Sequence, residues 1–290
     1  MDLEKLEQIK RTAVIALFSD DDLMDFLVFK GGNALDMVYN IAQRASVDLD
    51  FSMPTDFAEG QIPGITQKIR RALWQNFRAK GYEAFDIHFT EVPEHATTTV
   101  PDFWGGYLIE FKVIEVAEYK RLQSDPRALR VHALEAGPDH RRKFKISISK
   151  LEYCDPKKAT DLDDYTVYVY TPEMILFEKL RAICQQMPEY APNSTKTARA
   201  RDFFDIYTVI ECFKVDLASP QNVNLLKSIF EAKKVPLSLI GQIGQYREYH
   251  RPDFASVEAT VKPNTELETF DFYFDYLVDK CKGLKPLWEI

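Results

Sequence analysis

The stretch FKGGNALDMVYNIAQRASVDLDFSM, residues 29–53, contains a glycine pair followed by two aspartates that are one residue apart. From Val47 onward, apolar and acidic residues alternate. This period of two predicts a half-buried strand whose apolar side chains face the core. Asp48 and Asp50 would then share the opposite face of the strand. Carboxylates so close together repel each other unless a cation intervenes.

The aspartate pair has two interpretations. In the first, Asp48 and Asp50 bind Mg²⁺, a hard ion that prefers oxygen ligands and can hold nucleotide phosphates as well. Two such ions about 4 Å apart can stabilise both the attacking and the leaving oxygen of a nucleotidyl transfer. In the second interpretation, the pair is acidic decoration on the exposed face of a strand. The pair alone does not decide between them.

The glycine pair also has two interpretations. Because glycine lacks a side chain, the backbone N–H groups of Gly31 and Gly32 can approach phosphate oxygens at the start of a helix. Alternatively, the pair forms a plain turn and Asn33 is an ordinary helix cap. The stretch is neither a P-loop nor a Rossmann glycine loop, since GxxxxGK[ST] and GxGxxG are both absent.

The composition is that of a globular protein with ample material for a core. Of the 290 residues, 46% are apolar, 28% are charged and 13% are aromatic. No apolar run approaches the roughly 18 residues of a membrane span. The first residues are charged and contain no signal-peptide core, so we expect a cytoplasmic protein without a membrane partner.

Several function classes receive no support from the composition. The four cysteines form no CxxC pair and the five histidines form no HExxH motif, so a zinc enzyme or a Ser/His/Asp enzyme is not indicated. The cysteines are expected to be free buried thiols. The net charge of −8 argues against a broad nucleic-acid-binding surface. Basic clusters at 68–71, 141–145 and 199–201 are either solvated faces or a local groove for RNA or a nucleotide.

Apolar periodicity divides the chain into an α+β front half and a helical back half. The stretch 152–165 is rich in charged residues and turn formers, which places a domain boundary there. We therefore predict a catalytic α+β domain with a mixed sheet over 1–155 and a mainly helical domain over 156–290. Helices are predicted at 3–17 and 62–79, strands at 82–92, 107–117, 143–151 and 165–170, and further helices at 172–186, 198–213, 221–233 and 269–281.

Two charged side chains fall inside the apolar faces of predicted helices. In TPEMILFEKLRAI, residues 171–183, Lys179 lies within the apolar arc. In RARDFFDIYTVIECF, residues 199–213, Asp202 lies within the buried face and Asp205 lies at its edge. A buried lysine and a buried carboxylate need partners. Either the two form a structural ion pair, or Lys179 reaches a triphosphate and Asp202 orients the lysine or an incoming hydroxyl.

Four motifs, in their order along the chain, resemble the AbiEii/AbiGii family of nucleotidyltransferase toxins. The family has K-G-G-[TN]-A-L and R-x-S-x-D-x-D-F, then a helix with T-P-E-x-x-x-x-x-K-L, then a helix with R-D-x-x-D. No single motif is decisive, but the ordered set is specific. Here the motifs are KGGNAL at 30–35, RASVDLDF at 44–51, TPEMILFEKL at 171–180 and RDFFD at 201–205.

The resemblance implies a nucleotidyltransferase fold, similar to that of polymerase β, and Mg²⁺-dependent use of an NTP with release of pyrophosphate. Family members are bacterial toxins that have an antitoxin partner or act in phage defence, and some attach nucleotides to the acceptor end of tRNA. The acceptor is accordingly expected to be a hydroxyl of RNA or of protein. Carried over by position, the implied roles are metal binding for Asp48 and Asp50, nucleotide binding for Lys30, Gly31, Gly32, Ser46 and Lys179, and completion of the catalytic site by Asp202.

One feature departs from the family pattern. Many nucleotidyltransferases carry a third carboxylate on a later strand, but the matching stretch FKISISKLEY, residues 144–153, has Ser147 where an acid is expected. Glu110 or Glu152 could replace this acid, or Asp202 could be the base. A catalytically degenerate nucleotide-binding protein is therefore a second hypothesis. A structural or regulatory protein, in which the buried lysine and aspartate form only an ion pair, is a third.

Overall fold

One mixed sheet of seven strands is present in the computed structural model, which describes residues 3–46, 48–93, 101–137, 140–192, 195–263 and 265–288. The strands are β1 (Val28–Lys30), β2 (Leu49–Ser52), β3 (Tyr82–Val92), β4 (Gly106–Glu115), β5 (Phe144–Ser149), β6 (Lys157–Leu162) and β7 (Tyr165–Tyr170). Their order across the sheet is β3-β4-β5-β2-β1-β7-β6. β2 is antiparallel to β1 and parallel to β5, β1 is parallel to β7, and β4 is antiparallel to both β3 and β5.

Helices precede, interrupt and follow the strands, and half of the α-helices in the described ranges come after β7. They are α1 (Leu3–Phe18), α2 (Asp21–Phe26), α3 (Gly31–Met37), α4 (Ile62–Ala79), α5 (Val116–Leu122), α6 (Pro126–His132), α7 (Pro172–Cys184), α8 (Ala200–Phe213), α9 (Pro220–Glu231), α10 (Arg247–His250), α11 (Phe254–Glu258) and α12 (Phe270–Cys281). Short 3₁₀ helices cover Leu237–Tyr246, Arg251–Asp253 and Lys282–Leu287. The predicted fold class, an α+β mixed sheet followed by a mainly helical part, is confirmed.

Helix α4 forms because its sequence provides both a suitable first turn and an apolar stripe that can be buried. Pro63 lies in the first turn, where a missing N–H breaks no helical hydrogen bond. Ile65, Ile69, Leu73 and Phe77 then recur every four residues and are all buried. This stripe faces the core while α4 packs against α1 and β3. The helix begins and ends where the sequence predicts.

The charged stretch 152–165 contains a strand, β6, that the sequence analysis did not predict. β6 lies at the edge of the sheet, and edge strands commonly carry lysine because it discourages pairing with other chains. Lys157 of β6 lies over the ring of Tyr168, 4.0 Å from its centroid. Asp163 and Asp164, with φ of 53° and 68°, connect β6 to β7. Positive φ at two central residues is the conformation of a tight type I′ turn.

The chain forms two compact units. The first contains the described residues within 1–33 and 47–169, and it holds the sheet up to Val169. The second contains 34–46 and the described residues within 170–290, and it holds α7 to α12. The division into domains at residue 155 stays a prediction.

Three of the four cysteines are buried, as the sequence predicts. Cys154, Cys184 and Cys281 are buried thiols, as expected, but Cys212 is exposed. Cys212 lies in the last turn of α8, beyond Ile210, the last buried residue of that helix. Within the part of the chain that the structure describes, no helix combines the length and apolar character needed to cross a membrane.

The basic clusters are paired with acids on the surface. Arg71 Nη2 lies 3.3 Å from Asp20 Oδ2, and Lys143 Nζ lies 3.0 Å from Glu110 Oε2. These pairs favour the interpretation of the first two clusters as solvated faces.

Candidate functional site

The aspartate of the D-x-D motif that lies within the sheet is Asp50. Leu49 and Phe51 are buried, as predicted, and Asp50 is half-buried. In the strand register, Asp50 lies opposite Lys30 of β1 on one side and opposite Ser147 of β5 on the other. Asp50 therefore occupies the centre of a polar row that crosses three strands.

Asp48 does not lie on the strand, which corrects the prediction that both aspartates do. β2 begins at Leu49, and Asp48 is an exposed residue just before it. The backbone oxygen of Asp48 accepts a hydrogen bond of 2.6 Å from Asn33 Nδ2. This carbonyl is thus bound by a side chain instead of a neighbouring strand. Val47, which was expected to face the core, lies outside the described residues.

Asn33 is not the helix cap that the sequence suggests. Helix α3 begins at Gly31, so Asn33 is its third residue, and its side chain is buried and holds Asp48. The glycine pair forms the first two residues of the helix instead of a turn before it. Asn33 therefore connects the glycine segment to the D-x-D segment through a single side chain.

Position 31 requires glycine for two reasons, its backbone conformation and its close contact with Asp50. Its φ is +75°, which non-glycine residues rarely adopt, and a Cβ at this position would lie 2.8 Å from Asp50 Oδ2 and 3.3 Å from Asp50 Cβ. Any side chain would consequently push the Asp50 carboxylate from its position. The structure thereby brings together two residues that the sequence analysis assigned to one site.

Substitution of Gly31 by alanine is expected to destabilise the protein by about 1–2 kcal/mol through its left-handed backbone and also to displace Asp50. Gly60→Ala is the matched control, because Gly60 has φ of +81° but nothing within 4 Å of its Cβ position. Urea unfolding should show similar losses for both variants. The nucleotide transfer that the resemblance implies should fall at least about tenfold only for Gly31→Ala. Equal activity of the two variants would contradict a role for the close approach of Gly31 to Asp50.

Lys30 and Ser46, two further residues assigned to nucleotide binding, have different surroundings. Lys30 is buried, and its Nζ lies 3.5 Å from Ser149 Oγ on β5. Ser46 lies at the end of the 34–46 segment, which belongs to the second compact unit. Lys30 thus belongs to the same compact unit as Asp50, whereas Ser46 belongs to the second unit.

The position expected to carry a third acid carries none. Ser147 lies directly opposite Asp50 in the register. Glu110 lies on β4, one strand farther away, opposite Lys145, with its Oε2 3.0 Å from Lys143 Nζ and its Oε1 3.9 Å from Lys145 Nζ. Glu152 is buried beyond the end of β5, where its backbone N–H donates to Met53 O. Neither glutamate takes the place that Ser147 occupies.

The second unit brings together Lys179, Asp202 and Asp205. Lys179 Nζ is 2.9 Å from Asp202 Oδ1 and 2.7 Å from Asp205 Oδ2. The helical wheel placed Asp205 at the edge of the buried face, but it is 5% exposed and Asp202 is 8% exposed. This correction arises because Arg44, which is 161 residues away in sequence, binds Asp205 at 2.8 and 2.6 Å. A wheel drawn for one helix cannot show such a partner.

The buried charges stabilise one another in their ionised forms. Burial by itself raises the pKa of Asp205, but the charges of Arg44 and Lys179 outweigh burial and lower that pKa to about 2. Burial lowers the pKa of Lys179, and the carboxylates of Asp202 and Asp205 more than compensate and raise it. Lys179 is therefore a cation and Asp205 an anion at neutral pH.

His250 and Asp253 hold the start of α8, and neither residue was predicted from the sequence to do so. The backbone N–H of Arg199 donates to His250 Nδ1 at 3.0 Å, and that of Ala200 donates to Asp253 Oδ2 at 3.0 Å. These bonds satisfy N–H groups that a helix leaves without internal partners. No local signal reveals them, because both acceptors come from a segment about 50 residues later in the chain.

Stability is expected to fall between pH 6.5 and pH 4 because of His250. Burial, with a contribution from Arg199, lowers its pKa from 6.5 to about 4 against the opposing charges of Asp202 and Asp253. In this window the unfolded state binds more protons than the folded state, so stability decreases as the pH falls, by about 3 kcal/mol in total. The urea midpoint of His250→Asn should change less with pH between 6.5 and 4 than that of the wild type. His132→Asn, at an exposed position, is the control. If the urea midpoint of His250→Asn depends on pH as steeply as that of the wild type, His250 is not the cause of the loss of stability.

A mixed sheet that places a glycine pair beside a D-x-D strand is typical of nucleotidyltransferases. The family model described as nucleotidyl transferase AbiEii toxin, type IV toxin–antitoxin system, matches residues 14–276. The chain belongs to this family, as its four motifs indicated, and is a nucleotidyltransferase. Its family is one of toxins from type IV toxin–antitoxin systems.

Three solved structures are similar to this chain at low sequence identity. JHP933 from Helicobacter pylori has 16% identity and a TM-score of 0.47, with 98% of this chain and 92% of that chain covered. The nucleotidyltransferase toxin MenT4 from Mycobacterium tuberculosis has 14% identity and a TM-score of 0.46, with 97% and 82% covered. An antigenic nucleotidyltransferase-like protein from Paracoccidioides brasiliensis has 14% identity and a TM-score of 0.39, with 80% and 93% covered. No curated protein sequence matches this one.

Proposed function

We propose that the protein transfers a nucleoside monophosphate from an NTP to a hydroxyl group of RNA, in a reaction that depends on Mg²⁺ and releases pyrophosphate. The observation that carries the proposal is the approach of Gly31 to Asp50. A side chain on Gly31 would lie 2.8 Å from Asp50 Oδ2, so glycine allows the start of α3 to lie directly against this carboxylate. A glycine backbone at a helix start next to a carboxylate suits a site where backbone N–H groups bind phosphate and the carboxylate binds the metal ion.

The residues present fit Mg²⁺. Asp48 and Asp50 offer carboxylate oxygens, and Mg²⁺ is commonly held by one or two carboxylates together with the phosphates of its substrate. Across the described ranges, no three acidic, histidine or cysteine side chains form a cluster that could hold a metal by themselves. Asp48 and Asp50 are assigned to two Mg²⁺ ions. When bound, the ions would neutralise charge on the phosphates.

The remaining residues receive roles in binding and proton transfer. The acceptor oxygen forms a bond to the α-phosphorus while the bond from that phosphorus to the pyrophosphate oxygen breaks. Asp202 accepts the proton of the hydroxyl, and the charge of Lys179 offsets the negative charge that develops on the pyrophosphate. Nucleotide binding is assigned to Lys30, Gly31, Gly32, Ser46 and Lys179.

Family membership supports the biological setting of the proposal. A toxin family of type IV toxin–antitoxin systems supports a cognate antitoxin as the partner and phage defence as the role. The cytoplasm is the proposed compartment, because NTPs and RNA are found together there. Since some members of the family modify tRNA, tRNA is the acceptor proposed among RNAs.

A second candidate function is nucleotide binding with little or no transfer. The observation that favours it is Ser147, which lies opposite Asp50 where an acid is expected. Serine cannot bind a metal ion with a charged oxygen at neutral pH. In this case the protein would bind Mg²⁺ and an NTP and act through an interaction with another macromolecule.

Incubation with each α-³²P-labelled NTP, Mg²⁺ and total RNA tests the proposal. Label in the tRNA band, lost when EDTA removes Mg²⁺, is the expected result. Label on the protein itself would redirect the proposal to a protein acceptor. NTP binding without any transfer would favour the second candidate, and neither binding nor transfer would overturn both.

A further inference from the structure

Arg44 belongs to the R-x-S-x-D-x-D motif but is not among the residues that the proposed reaction uses. It lies in segment 34–46 of the second compact unit and is buried. The backbone around it is fixed, because Arg44 pairs with Val261 in an antiparallel bridge and the N–H of Ala45 donates to Thr260 O at 2.8 Å. A buried guanidinium on a fixed backbone can act only on the groups directly beside it.

The group beside Arg44 is the Asp205 carboxylate. Arg44 Nε donates to Asp205 Oδ1 at 2.8 Å and Nη2 donates to Asp205 Oδ2 at 2.6 Å. This two-pronged geometry is the strongest form of an arginine–carboxylate pair and also fixes the orientation of the carboxylate. Asp205 Oδ2 is, moreover, the oxygen that lies 2.7 Å from Lys179 Nζ. One carboxylate oxygen therefore connects the arginine to the lysine.

The four buried groups balance in charge. Arg44 and Lys179 contribute two positive charges, and Asp202 and Asp205 contribute two negative charges. Arg44 neutralises Asp205, so Lys179 is not the sole counterion of that carboxylate and is shared with Asp202 at 2.9 Å. Asp202 Oδ2 is 3.8 Å from Arg199 Nη1, which is longer than a hydrogen bond. The Lys179–Asp202 pair is thus the looser side of the cluster and the Arg44–Asp205 pair the tighter side.

We propose that Arg44 is a positioning residue that sets the location and availability of the Lys179 ammonium by holding Asp205. This inference rests on the proposed function, in which Lys179 binds the triphosphate. Without Arg44, the cluster would carry one excess negative charge, which repels a triphosphate. Asp205 would also draw Lys179 toward itself. Lysine at position 44 would keep the charge but could not make the two-pronged contact.

Steady-state kinetics with ATP, GTP, CTP and UTP as Mg²⁺ complexes test the proposal. For the NTP that the wild type uses, Arg44→Met is expected to raise KM about tenfold, with a smaller decrease in kcat. The double variant Arg44→Met/Asp205→Asn restores the charge balance and should return KM to within about threefold of the wild type. The KM of Arg44→Lys should lie between that of Arg44→Met and that of the double variant. Arg121→Met, which removes a surface arginine paired with Glu118, is the control.

Two outcomes would overturn the assignment. An unchanged KM in Arg44→Met, with only the amount of folded protein reduced, would make Arg44 purely structural. Failure of the double variant to recover KM, although it is folded, would mean that Arg44 does not act through Asp205.

A stability cycle keeps the test independent of the proposed function. Should the wild type neither bind nor transfer any nucleotide, the proposed function fails, and the effect of Arg44 on Lys179 is read from urea midpoints. Arg44→Met, Lys179→Met and the double variant of the two are compared with the parent protein, first with Asp205 present and then in the Asp205→Asn background. Non-additive midpoint shifts that disappear with Asp205→Asn support the connection through Asp205. Non-additivity that persists in that background refutes it.

Discussion

Replacement of Asp50 by asparagine is expected to reduce nucleotide transfer by about 10²- to 10³-fold, the size of effect seen when one charge-stabilising group is removed from an active site. Asparagine keeps the shape of the side chain and removes the negative charge that Mg²⁺ requires. The register that places Asp50 between Lys30 and Ser147 is formed by backbone bonds, so the sheet should remain intact. The initial rate of label transfer measures the first effect, and the urea midpoint checks the second.

Asp25→Asn is the matched control for this prediction. Asp25 is an exposed aspartate of α2 in the same compact unit, and its substitution makes the same chemical change. It should leave transfer unchanged. If Asp50 is a metal ligand, the residual activity of Asp50→Asn should also require more Mg²⁺ than the wild type. Retention of more than about a tenth of the wild-type rate, at the same Mg²⁺ requirement, would exclude Asp50 from the metal site.

Elements with a strong apolar period could be predicted from the sequence almost to the residue. α4 has the predicted limits, 62–79, because its buried positions recur at the period of a helix. β3 also has the predicted limits, 82–92, and its apolar Phe85, Ile87 and Phe89 alternate with polar residues in sequence. β6 could not be predicted in this way. It is an edge strand, and an edge strand needs few apolar residues, so its composition resembles that of a loop.

The candidate site could be predicted only as far as its residue types. The sequence indicated that Lys179 and Asp202 are buried and need partners, and the structure shows them 2.9 Å apart. It did not indicate that Asp205 is buried more deeply, because its partner Arg44 is 161 residues away. Similarly, the bond from Asn33 to Asp48 depends on two segments that meet only in the folded sheet. Local pattern reveals that a charge is buried, whereas its partner is set by tertiary structure.

Replacement of Lys179 by methionine is expected to lower the free energy of unfolding by about 3–5 kcal/mol, because a buried ion pair that loses one partner leaves an uncompensated charge. Methionine keeps most of the volume of the lysine stem and removes the ammonium. Asp205 retains Arg44, but Asp202 loses the cation that is 2.9 Å from it. Urea unfolding measures the loss. Lys227→Met, at an exposed position of α9, should change stability by less than about 0.5 kcal/mol.

The double variant Lys179→Met/Asp202→Asn separates the structural effect from the chemical one. Replacing both members of a buried pair by neutral groups costs less than removing one, so the double variant should recover about 1–2 kcal/mol relative to Lys179→Met. If Lys179 binds the triphosphate and Asp202 accepts the proton, transfer should remain absent although the protein folds. Were transfer to return together with stability, the two side chains would be only an ion pair that holds α7 against α8. A loss below about 1 kcal/mol in Lys179→Met would show, instead, that the pair contributes little even to structure.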